Sequence, residues 1–157
     1  MGLEIERKFL VTGDGWRKGA RRSRLSQGYL LAEKGKSVRV RLEDGRGTVT
    51  IKGPSRGGAG RAEYEYAIPA KDARELLRRL CEKPLIEKTR WRVRHKGLLW
   101  EVDEFAGANR GLIVAEVELR RARQAVALPP WVGREVTSEP RYLNANLFKR
   151  PYKNWSL

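Results

Sequence analysis

Charged and apolar residues alternate along most of this chain, and alternation at every second position predicts strands, because successive strand side chains point to opposite faces. In residues 3–10, Glu4, Glu6 and Lys8 fall on one face while Leu3, Ile5 and Phe9 fall on the other, with Arg7 out of pattern. Residues 37–42 set Arg39 and Arg41 against Val38, Val40 and Leu42. Residues 47–53 set Thr48, Thr50 and Lys52 against Val49 and Ile51, and residues 62–68 set Glu63 and Glu65 against Tyr64, Tyr66 and Ile68. Further on, Lys88, Arg90, Arg92 and Arg94 line up in 86–94, Glu101 and Asp103 in 98–105, and Glu116 and Glu118 in 113–119. With a shorter strand over 27–32 this makes roughly eight strands. Polar or Gly-rich turns join them, such as Glu43-Asp44-Gly45-Arg46-Gly47 and Gly57-Gly58-Ala59-Gly60.

The period changes in 69–83, where Ala73, Leu76, Leu77 and Leu80 recur at helical spacing and Asp72 sits in the first turn. That stretch predicts an amphipathic helix packed on the outside of the sheet. Shorter helices are expected within 121–128, ended by Pro129-Pro130, and within 144–150, ended by Pro151. Cys81, at the helix end, reads as a buried structural residue, and His95 reads as a loop residue.

Any single alternating strand could belong to an ordinary sheet with one solvated face. A solvated face, however, mixes small polar residues with both charges, whereas here the polar face is almost all Arg, Lys, Glu and Asp, and each strand carries mainly one sign. Acidic pairs sit on the first strand and the last two, and basic residues on the strands around 39–52 and 88–94. The expectation is a mainly β (α+β) fold: a closed, eight-stranded antiparallel barrel with a charged lumen and helices outside. Closure would remove the exposed sheet edges. Its lumen would place an acidic zone beside basic walls, which suits a cation together with a long anion.

Composition narrows the setting. The 157 residues fit one domain, 1–157. Cys81 is the single cysteine, so no internal disulfide can form, and no secretory signal or membrane span is visible. A cytoplasmic location is expected. The 34 Lys+Arg against 19 Asp+Glu give a net charge of +15, which points to an anionic ligand.

Glu4-Ile5-Glu6-Arg7-Lys8-Phe9-Leu10 resembles the ExExK signature of the CYTH superfamily, the triphosphate tunnel metalloenzymes. The likeness continues through Gln27-Gly28-Tyr29-Leu30, Arg39/Arg41, Thr50-Ile51-Lys52, Glu63-Tyr64-Glu65, Glu87-Lys88-Thr89-Arg90, Asp103 before Phe105-Ala106-Gly107, Glu116-Val117-Glu118 and Val136-Thr137 to Arg141-Tyr142. It resembles the short bacterial members most. The resemblance implies an enzyme with Mg²⁺ or Mn²⁺ as cofactor that hydrolyses a triphosphate substrate, inorganic triphosphate first among the candidates. The alternatives are a class IV-type adenylate cyclase, a thiamine or nucleoside triphosphatase, and, outside enzymes, an RNA or polyphosphate binding module.

Hard divalent cations take oxygen ligands, so Glu4, Glu6, Asp103, Glu116 and Glu118 are the candidate metal ligands. Arg39, Arg41, Lys52, Lys88, Arg90 and Arg92 are the candidate phosphate clamps, Arg as a bidentate fork and Lys as a point charge. Lys8, Tyr29, Glu63 and Glu65 are the candidate catalytic groups, with either a second metal ion or a carboxylate such as Glu63 or Glu65 to orient and deprotonate water. The expected partner is a small-molecule triphosphate bound by a monomer or homodimer; nucleic acid and membrane are not expected. Carboxylate pairs add nothing to a nucleic-acid groove, and Tyr64 and Tyr66 lie on the apolar face, where they cannot stack bases between the arginines.

Overall fold

The computed structural model describes residues 2–54 and 60–156. Of the expected turn Gly57-Gly58-Ala59-Gly60, only Gly60 lies within them. The strands are β1 (Gly2–Glu4), β2 (Glu6–Val11), β3 (Arg21–Glu33), β4 (Lys36–Glu43), β5 (Arg46–Lys52), β6 (Arg61–Ile68), β7 (Ile86–His95), β8 (Leu98–Phe105), β9 (Ile113–Glu118) and β10 (Val132–Glu135). Helix α1 (Ala70–Arg79) follows β6, and α2 (Asn144–Leu147) lies near the C-terminus. Among the described residues no helix is long and apolar enough to cross a membrane.

The strands form one antiparallel sheet in the order β1-β6-β5-β4-β3-β7-β8-β9-β2-β10. This corrects the expected closed eight-stranded barrel: the ladder has ten strands and two edges, and it is not closed. The cause lies in the first alternating segment, which the structure splits at Ile5. Glu4 on one side of the split faces Arg61 of β6, while Glu6 on the other side faces Glu118 of β9, so the two ends of the sheet meet through the chain and not through a β1-β2 ladder. β10, a strand the alternation did not predict, lies beyond β2.

The faces divide as the alternation implies, with one addition. On the outer face, Phe9, Trp100, Val102, Ala115 and Val117 gather around the buried Trp16. A second outer cluster packs Ala73, Leu77 and Cys81 against Val40. There the segment after α1 comes so close that a Cβ on Gly28 would stand 2.7 Å from the Cys81 Cβ, so the strand admits only glycine at that point. The helix stops at Arg79, short of residue 83, where the Lys83 ammonium turns back and donates to the carbonyls of Leu77, Arg78 and Cys81. The addition lies on the inner face. At one end of it Tyr29, Ile86, Phe105 and Val114 are apolar and are covered by the C-terminal segment through Tyr142, Leu147, Phe148 and Trp155.

Two smaller expectations fail. Residues 121–128 form no helix: only Val126 of that stretch packs on the core, and a short helix without packing does not hold. Gln124 instead turns back to accept the Arg120 backbone N–H at 2.7 Å. His95 is the last residue of β7 and stands outside the loop that follows.

Candidate active site

Strands β1 to β9 all send inward side chains to one cavity of about 320 Å³. Because side chains alternate with period two, register alone decides which inward residue meets which. Glu4 stands opposite Arg61, Lys52 opposite Glu63, Lys8 opposite Glu116, Arg90 opposite Asp103 and Arg92 opposite Glu101. Arg39 and Arg41 differ. Their opposites are Tyr29 and Gln27 on β3 and Thr50 and Thr48 on β5, none of them acidic.

The two arginines therefore enter the cavity without an ion-pair partner among the described residues. Arg39 is 8% exposed; its Nη2 donates to Thr50 Oγ1 at 3.1 Å, and its Nε has no partner among the described residues. Arg41 Nε donates to Gln27 Oε1 at 3.1 Å. Burial, with Arg39 and Arg90 adding repulsion, pulls the Arg41 guanidinium down to about 9. A buried cation left unsatisfied in this way is a site for an anion.

Across the cavity the carboxylates are crowded. Burial pushes the Glu6 carboxyl up to about 8, and Glu116, to which it is hydrogen-bonded, adds to the rise. Burial acts on Glu116 in the same sense, but the charge of Lys8 and the hydrogen bond from Glu6 outweigh it and hold Glu116 well below the usual range. The two thus share one proton, the expected result for like charges in a dry site. Glu63 behaves similarly: burial and its hydrogen bond to Glu4 raise it to about 7. Glu4 is held at about 2, since Lys52, the Glu63 bond and Arg61 overcome its burial. Lys52 Nζ stands 3.0 Å from both Glu4 oxygens and Arg61 Nε 3.1 Å from one.

These donors fit a hard divalent ion. A shared proton marks the place where a cation would relieve carboxylate repulsion, and Mg²⁺ takes only one or two carboxylates while keeping water and phosphate oxygens. Among the described residues no three acidic groups enclose an ion by themselves.

Of the remaining sequence candidates, Asp103 and Lys88 lie outside the cavity lining and the others are part of it. Asp103 is buried under the cavity wall, with Arg90 on both its oxygens at 2.7 and 2.9 Å and Lys88 Nζ on one at 2.8 Å. Burial would raise it, yet Arg90 and Lys88 hold it at about 2. Lys88 spends its remaining reach on Asn144 Oδ1 at 3.2 Å and does not line the cavity. Arg92 lies between Glu43 and Glu101, at 2.8 and 3.1 Å. Glu118 and Glu65 line the wall, Glu65 accepting from Thr50 at 3.0 Å. Lys8 is buried 3.7 Å from Glu6. Tyr29 lines the cavity while its ring stacks on Phe148 at 5.2 Å, and burial raises its hydroxyl so that it stays a donor.

Sequence reasoning overlooked Arg61, Glu43 and Glu101 as cavity residues. Arg61 is two before Glu63 and Glu43 two after Arg41, so carrying each alternation one step beyond the assumed strand end would have found both. Asn144, which accepts from Gln27 Nε2 at 3.1 Å, has no such signal, because it arrives on the C-terminal segment.

A concave sheet that sets unpaired arginines against carboxylates sharing a proton defines a class of protein built to hold a polyanion beside a cation. The chain belongs to the CYTH domain family, whose model matches residues 2–152. It is 52% identical over 155 residues to an inorganic triphosphatase of Acetivibrio thermocellus, covering 99% of each chain. It is 41% identical to an inorganic triphosphatase of Nitrosomonas europaea, covering 92% of this chain and 95% of that one. A crystal structure of an inorganic triphosphatase superposes with a TM-score of 0.65 at 36% identity, covering 92% of this chain and 96% of the other.

Proposed function

We propose that this chain is a metal-dependent inorganic triphosphatase, which converts tripolyphosphate and water into pyrophosphate and orthophosphate. The observation that carries the reading is the pair of arginines, Arg39 buried and Arg41 partly buried, which have no acidic partner among the described residues and line one cavity with Glu4, Glu6, Glu116 and Glu118. Close relatives named inorganic triphosphatase support it.

Arg39 and Arg41 take the phosphate chain, each offering a planar fork of donors. Tyr29, held protonated by burial, donates to a phosphate oxygen beside them. Lys8 keeps its charge, because Glu116 and Glu6 outweigh its desolvation, and balances both the acid pair and the substrate. One or two of the carboxylates Glu4, Glu6, Glu116 and Glu118, which line the same cavity, would hold Mg²⁺ or Mn²⁺. The bound ion supplies charge neutralisation at the phosphate oxygens. Glu63, titrating near 7, is suited to take a proton from water at its carboxylate oxygen, since a general base works best near the ambient pH. Asp103 orients Arg90 and Lys88 from behind. Most of the catalysis comes from fixed charges that stabilise the anhydride oxygen as its bond to phosphorus breaks.

The test is phosphate and pyrophosphate release from tripolyphosphate, ATP and thiamine triphosphate with Mg²⁺ or Mn²⁺. Tripolyphosphate is expected to turn over fastest, and Glu6→Gln to lower that rate by about a hundredfold. Folded protein that cleaves none of the three overturns the reading, and cyclic product from ATP would replace it with a cyclase.

A further inference from the structure

Beyond the main cavity lies an outer pocket of about 540 Å³, and the two have Arg41, Glu43, Glu65 and Arg92 in common. The outer pocket is basic. Arg21 and Arg46 line it and make no ion pair among the described residues, whereas Arg22 at its edge turns to the other face of the sheet, over the Trp91 ring. Between the two spaces runs a continuous bar of side chains from β4, β3, β7 and β8, strands adjacent in that order. Ser23 Oγ donates to Glu43 Oε2 at 2.5 Å, Arg92 Nη1 stands 2.8 Å from the same carboxylate oxygen, and Arg92 Nε donates to Glu101 Oε2 at 3.1 Å.

We propose that the Glu43–Arg92 pair is a crossbar that sets the length of phosphate chain the site accepts. The inference deepens the triphosphatase reading and rests on it. A third phosphate can be held on the inner side by Arg39 and Arg41. A fourth would have to pass the bar, where Glu43 presents a negative charge and the Arg92 charge is already spent on two carboxylates. Past the bar, the outer arginines are free to hold further phosphates. The pair is only partly buried, with side chains 30% and 23% exposed, so its removal changes selectivity more than it changes folding. The bar works by exclusion: it adds no contact to the short substrate and places repulsion where the longer one would lie.

Calorimetric binding of two probes, tripolyphosphate and linear tetraphosphate, tests this in the unchanged protein, in Glu43→Ala and in the charge-swapped double variant Glu43→Arg with Arg92→Glu. Because the quantity read is the ratio of two affinities in one sample, a partly misfolded preparation does not alter it. Glu43→Ala should shift the ratio about fivefold toward tetraphosphate, the scale of one partly exposed ion pair. The swapped variant, with the bar rebuilt in reverse, should return most of that shift. An unmoved ratio in Glu43→Ala, a parallel loss of both affinities, or no recovery in the swapped variant each overturns the crossbar. Turnover of tripolyphosphate by the unchanged protein is scored separately, so the crossbar can fail while the triphosphatase reading stands.

Discussion

Strands β4 and β7 each carry the same pattern, Arg-x-Arg, at Arg39/Arg41 and at Arg90/Arg92, and both point it inward. Their surroundings make opposite things of it. β4 lies between β3 and β5, which set Gln27, Tyr29, Thr48 and Thr50 opposite its arginines. β7 lies beside β8, which sets Asp103 and Glu101 opposite them. The arginines of β4 are left as an open charge for a ligand, whereas Arg90 is locked into a buried ion cluster and Arg92 into a pair at the cavity edge. A charged residue on a strand therefore has no role of its own until the residue facing it is known.

The largest test of that contrast is Asp103→Ala. It would strand Lys88 as a buried charge and leave Arg90 only its looser contacts to Glu101 and Glu116, at 3.3 and 3.8 Å, which costs about 3–5 kcal/mol. Denaturant unfolding should show that loss, and a loss near zero would mean that the cations of β7 are as free as those of β4. Arg41→Ala should do the reverse, lowering kcat/KM for tripolyphosphate about a hundredfold with no fall in stability. A stability loss equal to that of Asp103→Ala would erase the distinction between the two strands.

The acidic wall adds a pH test on metal-free protein. Glu6 is raised in the folded state from 4.5 to about 8, so between those values the folded chain binds more protons than the unfolded one. The stability linked to this group is complete below pH 4.5 and is lost as the pH rises toward 8. Unfolding free energy measured across that window should fall with pH, and Glu6→Gln should flatten the fall. A slope unchanged in the variant assigns the dependence to other groups. The smallest effect is expected from Thr50→Val, which removes the single hydrogen bond on Arg39 Nη2. About 1 kcal/mol, read as a severalfold rise in KM with kcat nearly kept, is the scale of one such bond.

Much of this arrangement was legible before any coordinates. A period of two placed β4 to β9 and their inward charges within a residue or two, because the pleat allows no other reading of charge against apolar residue, while the strand expected over 27–32 starts six residues earlier, at Arg21. Three things were not legible. The break at Ile5 leaves the alternation intact, so one predicted segment concealed the strand at one edge of an open sheet and the strand next to the other edge. β10, Val132-Gly133-Arg134-Glu135, is too short to show a period. Register, finally, is a relation between distant segments, and it alone separates Asp103 the counter-ion from Asp103 the expected metal ligand.

The split at Ile5 has a consequence for amide hydrogen exchange. β1 pairs on one side only, with β6, while β2 is held between β9 and β10. Amides of β1 should therefore trade protium for deuterium ahead of those in β2, although Glu4 and Glu6 are two residues apart. A ligand that engages both carboxylates would tie the looser strand to the tighter one. Slowed exchange at Leu3 and Glu4 would then report occupancy of the site under conditions where no bond is cleaved.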